Sequence, residues 1–223
     1  MDLKNTTDPK VAGEFLADKI TEQLEAGKKV LWFVTGGSAI AVASGASKII
    51  SQKSHSNLTV MLTDERYGPV GYPDSNWQQL RDMGFVLKEA KLIPILDGSD
   101  RNTTTENFNK IIERELLLAE YKIGLFGVGP DGHTCGIIPK TEATDATVND
   151  AKWAFSYQAP KFERITITSK TIVELDEGVI FMQGEEKWPV VKDLIERDVP
   201  FIDQPAQILK KIPTLTLFTD YQK

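Results

Sequence analysis

The sequence predicts one α/β domain over residues 1–223, a mostly parallel β-sheet with helices on both faces. Three features carry that expectation: short unbroken apolar runs, amphipathic stretches alternating with them, and glycine-rich or charged loops directly after the runs. Crossover helices bury both faces of a parallel strand, so such a strand reads as a continuous apolar run rather than an alternation. No repeat, low-complexity tract or linker divides the chain.

Asp8-Pro9 reads as an N-cap followed by proline in the first helical turn, and Val11, Phe15, Leu16, Ile20 and Leu24 recur at helical spacing until Gly27. Val30 to Val34 is a strand, Thr35-Gly36-Gly37-Ser38 a turn, and the alanine-rich stretch through Ile50 a helix. Leu58 to Thr63 repeats the pattern, with a polar loop from Asp64 to Asn76 and a short helix through Met83. Leu92 to Leu96 is a further strand, and Thr103 to Thr105 begin a helix whose stripe is Phe108, Ile111, Ile112 and Leu116. Ile123 to Val128 is the most strand-like segment and runs into Gly129-Pro130-Asp131-Gly132-His133. Strands near Trp153 to Tyr157, Arg164 to Thr168, Val179 to Met182 and Leu215 to Phe218 follow, with helices near Ser169 to Leu175 and Glu186 to Arg197. Open sheets of this kind bind ligands outside the carboxyl ends of their strands, so the loops after Val34, Thr63, Val128 and Met182 are expected on one rim.

Composition narrows the function. The 26 Lys and Arg against 32 Asp and Glu give a net charge of −6, and no basic block appears, which argues against a nucleic-acid partner. Small molecules are the expected partners. The single cysteine, Cys135, cannot form an internal disulfide, and the polar start MDLKNTTDPK has no apolar core of signal-peptide length. No apolar run approaches the ~20 residues of a membrane span, so the expected location is cytoplasmic. Oligomeric state has no signature in the sequence.

The chemistry concentrates in the rim loops. Gly36, Gly37 and Ser38, between strand and helix, read either as a tight turn that needs glycine for its backbone or as an anion seat, where backbone N–H groups can approach a phosphate. Gly127, Gly129 and Gly132 spell G-x-G-x-x-G, but His133-Thr134-Cys135-Gly136 and Pro139 follow where a dinucleotide fingerprint needs a long helix. Of the two histidines, His55 lies in a polar loop without a role. His133 sits two residues after Asp131, a carboxylate able to orient its ring. No second histidine or cysteine pair accompanies it, so no metal is expected. Asp64-Glu65-Arg66 follows a strand and reads either as a surface charge cluster or as a source of a carboxylate and a guanidinium on the same rim. Lys187 stands at a helix start, where it opposes the helix dipole unless an anion binds. Lys161 and Arg164 precede a strand, so topology alone does not bring them to the rim.

The segments TGGS, TDERYGPVGYPDSN, GLFGVGPDGHT with GIIP, APKFERITIT and QGEEKW resemble, in order and spacing, the 6-phosphogluconolactonases. Their superfamily also holds the glucosamine-6-phosphate deaminases or isomerases. The resemblance implies a Rossmann-like sheet of lactonase type and hydrolysis of 6-phosphogluconolactone, a phosphorylated sugar lactone, with no cofactor. Under it, His133 is the base that activates water, Asp131 orients it, and Arg66 stabilises the oxyanion or holds the substrate. Asp64 is a supporting residue, and the Gly36-Gly37-Ser38 turn, Lys161, Arg164 and Lys187 take the phosphate. A deaminase is expected to have glutamate and tyrosine at the positions of Ile138 and Arg66. Departures occur at Ala39 and Ile40 in the glycine loop, at Tyr72 where a histidine is usual, and at Cys135-Gly136 after the histidine loop. The rival readings are the deaminase reaction, with Asp64 as the proton-transfer base, and a non-catalytic sugar-phosphate binder.

Overall fold

The computed structural model describes residues 1–53, 55–145, 149 and 151–222. Its main sheet has seven strands, all paired in parallel, with an unbroken hydrophobic core around them. The strands in chain order are β1 (Asp2–Asn5), β2 (Val30–Val34), β3 (Leu58–Leu62), β5 (Lys91–Ile93), β6 (Tyr121–Gly127), β9 (Glu177–Met182) and β10 (Thr214–Thr219). Every residue of β2 and β9 is buried, which is why those segments carry no polar alternation.

In space the order is β1-β10-β9-β6-β2-β3-β5. The chain therefore moves outward from β2 through β3 to β5, then returns to lay β6 on the other side of β2. That reversal opens a crevice between the carboxyl ends of β2 and β6, the usual ligand position in an open α/β sheet. Strand β4 (Asp64–Arg66) leaves this sheet and pairs antiparallel with β8 (Glu163–Ile167), which pairs with β7 (Ala154–Gln158).

Helix α1 (Pro9–Glu25) is capped by Asp8, whose side chain accepts from Lys10 N–H, and it packs on α2 (Ile40–Ile50). Gly13 permits that approach, since a Cβ there would lie 3.1 Å from the Val42 carbonyl oxygen. Helix α3 (Asn76–Asp82) is capped by Ser75, and α4 (Arg101–Leu118) packs on β7. The short α5 (Ser169–Ile172) and α6 (Trp188–Glu196) complete the helices relevant to the site, α6 being entered through a 3-10 turn, Glu185–Lys187.

Several sequence expectations change. The expected loop from Asp64 begins with β4, too short to display any period, and β7 and β8 join it in a separate sheet instead of extending the parallel one. The polar strand β1 escapes a reading based on apolar runs because it lies at an edge. Asp100 caps α4, accepting from Asn102 and Thr103 N–H, where Thr103 to Thr105 were expected to begin it. The helix from Ser169 ends three residues short of Leu175.

Candidate active site

A cleft of about 240 Å³ lies at the crevice between β2 and β6. Its first wall is the turn after β2. Gly37 has φ of +67°, which favours glycine, and a 3-10 turn, Gly37–Ala39, leads into α2 with no side chain capping either element. The first N–H groups of this helical segment therefore lack side-chain caps at the edge of the cleft. Lys187, after β9, reaches the same turn and donates from Nζ to Ser38 Oγ at 3.4 Å. Ala39 and Ile40, at the departures from the family pattern, are buried in the core.

The second wall is the loop after β6, where no helix follows the glycines. Val128 and Thr134 form an isolated antiparallel bridge, and Gly129 N–H donates to the His133 carbonyl at 3.0 Å. Gly132, with φ of +82°, makes the sharp bend. The bend sets His133 Nδ1 2.6 Å from Asp131 Oδ1, which also accepts from the His133 backbone N–H at 3.1 Å. The hydrogen bond from His133 holds the Asp131 carboxyl below its ordinary range. A carboxyl with a depressed folded pKa contributes stability above its unfolded pKa, and that contribution is lost as the pH falls through the folded value. With Nδ1 bonded to Asp131, a neutral ring has its free lone pair on Nε2.

The third wall is the small antiparallel sheet. Register places Arg66 directly opposite Arg164, and both line the cleft. Like charges across a strand pair repel, so partners are needed. Arg164 Nη1 donates to Asp64 Oδ2 at 3.0 Å, and Arg66 Nη1 donates to the Asp74 carbonyl at 3.1 Å. The Nε of each guanidinium is buried with no partner among the described residues. Arg66 also stands over the Phe162 ring, 4.9 Å from its centroid. Asp64 is buried and fully engaged, since it also accepts from Thr63 Oγ1 at 3.2 Å and Asn76 Nδ2 at 3.3 Å.

Glu65 sits beneath this wall with no exposure and accepts from the N–H groups of Arg66, Asn76 and Trp77 and from Ser75 Oγ. Burial pushes its carboxyl up, against those four donors. The DER and DSN segments are thus one unit: the glutamate of the first holds the start of α3 in the second. Tyr72 completes it by donating from Oη to the Arg66 carbonyl at 2.9 Å. Burial pushes that phenol up to about 12, so it remains a donor across neutral pH.

Among the expected site residues, Gly36, Gly37, Ser38, Asp64, Arg66, His133, Arg164 and Lys187 line the cleft, with Asp131 behind His133. Lys161 is exposed, its Nζ 5.1 Å from the centroid of the Phe162 ring that Arg66 also stands over, and is not among the lining residues. The sequence reading missed Asn76 and Cys135, which also line the cleft. Asn76 stands in a Ser-Asn pair that reads only as an ordinary helix start. Cys135 adopts φ of +53°, and burial pushes its thiol up, which makes it a poor nucleophile. Among the described residues no group of His, Cys, Asp and Glu could hold a metal ion. Among the described residues no helix is long and apolar enough to cross a membrane.

Three cationic side chains and one engaged carboxylate give this cleft positive character in a chain of net charge −6. Such a site concentrates anionic ligands. The adjacent histidine–carboxylate pair can move a proton beside a bound anion.

Residues 9–217 match the family model of glucosamine-6-phosphate isomerases/6-phosphogluconolactonase. A 6-phosphogluconolactonase of Neisseria meningitidis is 29% identical over 194 residues, covering 79% of this chain and 80% of the relative. Among solved structures, a 6-phosphogluconolactonase from Shewanella baltica is similar with a TM-score of 0.77 at 20% identity, covering 98% of this chain and 97% of the other. A monomeric glucosamine-6-phosphate deaminase matches equally in shape, with a TM-score of 0.77 at 18% identity and coverage of 98% and 97%. Shape alone therefore does not separate the two chemistries.

Proposed function

Because the chain belongs to the glucosamine-6-phosphate isomerase/6-phosphogluconolactonase family, its chemistry must be read from the side chains of the cleft, and we propose hydrolysis of 6-phosphogluconolactone to 6-phosphogluconate. The observation that carries this reading is the His133–Asp131 pair, with 2.6 Å between Nδ1 and Oδ1, at a cleft that also holds Arg66. His133 Nε2 takes a proton from water as the oxygen attacks the lactone carbonyl carbon, and Asp131 stabilises the imidazolium. The oxyanion that forms faces Arg66. Its collapse breaks the bond between carbonyl carbon and ring oxygen, and the imidazolium returns its proton to that oxygen. Every atom of the added water ends in the product acid.

Two features favour the lactonase over the deaminase reaction. Ile138, at the position expected to be glutamate in a deaminase, packs on the core and has no titratable group. Both oxygens of Asp64 accept hydrogen bonds, and Arg164 holds one of them, which leaves this carboxylate poorly placed as a carbon base. Purified protein without added metal is expected to speed lactone decay above its spontaneous background and to release no ammonia from glucosamine 6-phosphate. Ammonia release without lactone hydrolysis overturns the assignment. Tight binding of 6-phosphogluconate with neither activity points to a binding protein.

The phosphate is assigned to the Gly36–Ser38 turn and Lys187, with Arg164 at the opposite wall. Lys187→Ala is expected to weaken binding of phosphorylated ligands by about tenfold, roughly 1.5 kcal/mol, the lower end for a charge-assisted hydrogen bond. An unphosphorylated lactone should be nearly unaffected. Equal losses for the two would remove Lys187 from phosphate recognition. Arg164→Ala is a less clean test, because it also strands the buried Asp64.

A further inference from the structure

Asn76 opens α3 and lines the cleft although it is only 3% exposed. Its backbone N–H donates to Glu65 Oε1 at 2.6 Å, and its Nδ2 donates to the Asp64 carbonyl at 2.9 Å and to Asp64 Oδ2 at 3.3 Å. Two acceptors on one side of the amide fix which end is nitrogen, so Oδ1 points away from Asp64. That oxygen stands against Gly36, where a Cβ would lie 2.3 Å from it, and it accepts from no donor among the described residues. Glycine at 36 is therefore required by the asparagine side chain and not by backbone conformation, since its φ is −83°.

We infer that Asn76 Oδ1 accepts a hydrogen bond from one ring hydroxyl of the sugar lactone and makes that hydroxyl a requirement for binding. The inference rests on reading the cleft as a phosphorylated sugar-lactone site and adds a recognition element to it. Among the other polar groups lining the cleft, Arg66, Arg164 and Lys187 are donors suited to phosphate and to the carbonyl oxygen, His133 is assigned to water, and both oxygens of Asp64 already accept hydrogen bonds. Asn76 Oδ1 is an acceptor and repels the phosphate and carbonyl oxygens, so its natural complement is an uncharged O–H. The two hydrogen bonds from its Nδ2 to Asp64 keep the amide from turning to find another donor. A site built around such an acceptor rejects an analogue lacking the hydroxyl, because the acceptor is then left buried and unpaired.

The test compares wild type, Asn76→Ala and Asn76→Leu, the last filling a similar volume without an acceptor. Each is assayed with 6-phosphogluconolactone and with its 2-, 3- and 4-deoxy counterparts, and Kd is measured for the corresponding acids by calorimetry. Wild type should lose about tenfold or more in kcat/KM and in affinity on one of the three deoxy ligands. Both variants should show that loss with the full ligand and no further loss with the same deoxy ligand. Wild-type indifference to all three deletions overturns the inference. So do variant losses of equal size on every ligand, which would make Asn76 only a tie between Asp64 and α3. If wild type turns over no lactone, the proposed hydrolysis fails while the Kd pattern still decides the role of Asn76. Circular dichroism melting identifies a variant that fails to fold, and the other variant then carries the comparison.

Discussion

Replacing His133 with asparagine is expected to lower catalysed lactone hydrolysis by about 100-fold or more, the scale for loss of a general base. Asparagine retains an N–H able to face Asp131 but has no basic nitrogen, so the change removes proton transfer with little change in shape. The ring is partly exposed, and its polar side-chain partner is Asp131. Folding and the affinity for 6-phosphogluconate should therefore persist. The measurement is lactone decay above background, with calorimetric binding of the acid as a control. An undiminished rate removes His133 from the mechanism.

A chemically silent change should do nearly as much. Gly129 does not occupy the left-handed region, so its backbone accepts alanine. The added Cβ, however, would lie 2.2 Å from His133 Cε1, 2.3 Å from its Nδ1 and 2.7 Å from Asp131 Oδ1. No Cβ tolerates such contacts, and the ring must swing aside. Its side chain is 37% exposed, so it can move into solvent without opening the core. The melting temperature of Gly129→Ala should therefore shift by only about 2 to 4 °C, the scale of a 1 kcal/mol loss in a domain of this size. Activity should fall by about 100-fold, because a displacement near 1 Å is enough for a loss of that order. Full activity in Gly129→Ala would show that catalysis does not depend on the ring position described here.

The sequence revealed those parts of the fold whose residues obey one rule at a time. β2 and β9 are buried on both faces and read directly as apolar runs, while Asp8-Pro9 and Gly27 marked the ends of α1. β4 was hidden because its three residues serve the site rather than the core: Asp64 and Arg66 bind other groups, and Glu65 holds α3. Arg164 could not be placed by topology, since the rim rule applies to parallel strands and β8 runs antiparallel to β4. Lys161 precedes that strand by a few residues, and the turn leaves it outside the cleft lining. Asn76 was concealed by an ordinary helix-start pattern, because the orientation of its amide depends on Asp64, 12 residues earlier.

The edge strand β1 ties the beginning of the chain to its end. Among the described residues its one strand partner is β10, in register from Asp2 with Thr216 to Asn5 with Thr219, and Asn5 Nδ2 donates to the Tyr221 carbonyl. During synthesis, the first few residues leave the ribosome more than 200 positions before their partner does. They wait unpaired while the interior strands assemble, because a contact of such sequence separation is the last to recover its loop-closure cost. β10 lies between β1 and β9, so release of the final segment detaches two strands from the sheet together. The sheet is completed only after Thr214 to Thr219 have emerged, and a nascent chain stalled before Thr214 exposes the edge of β9.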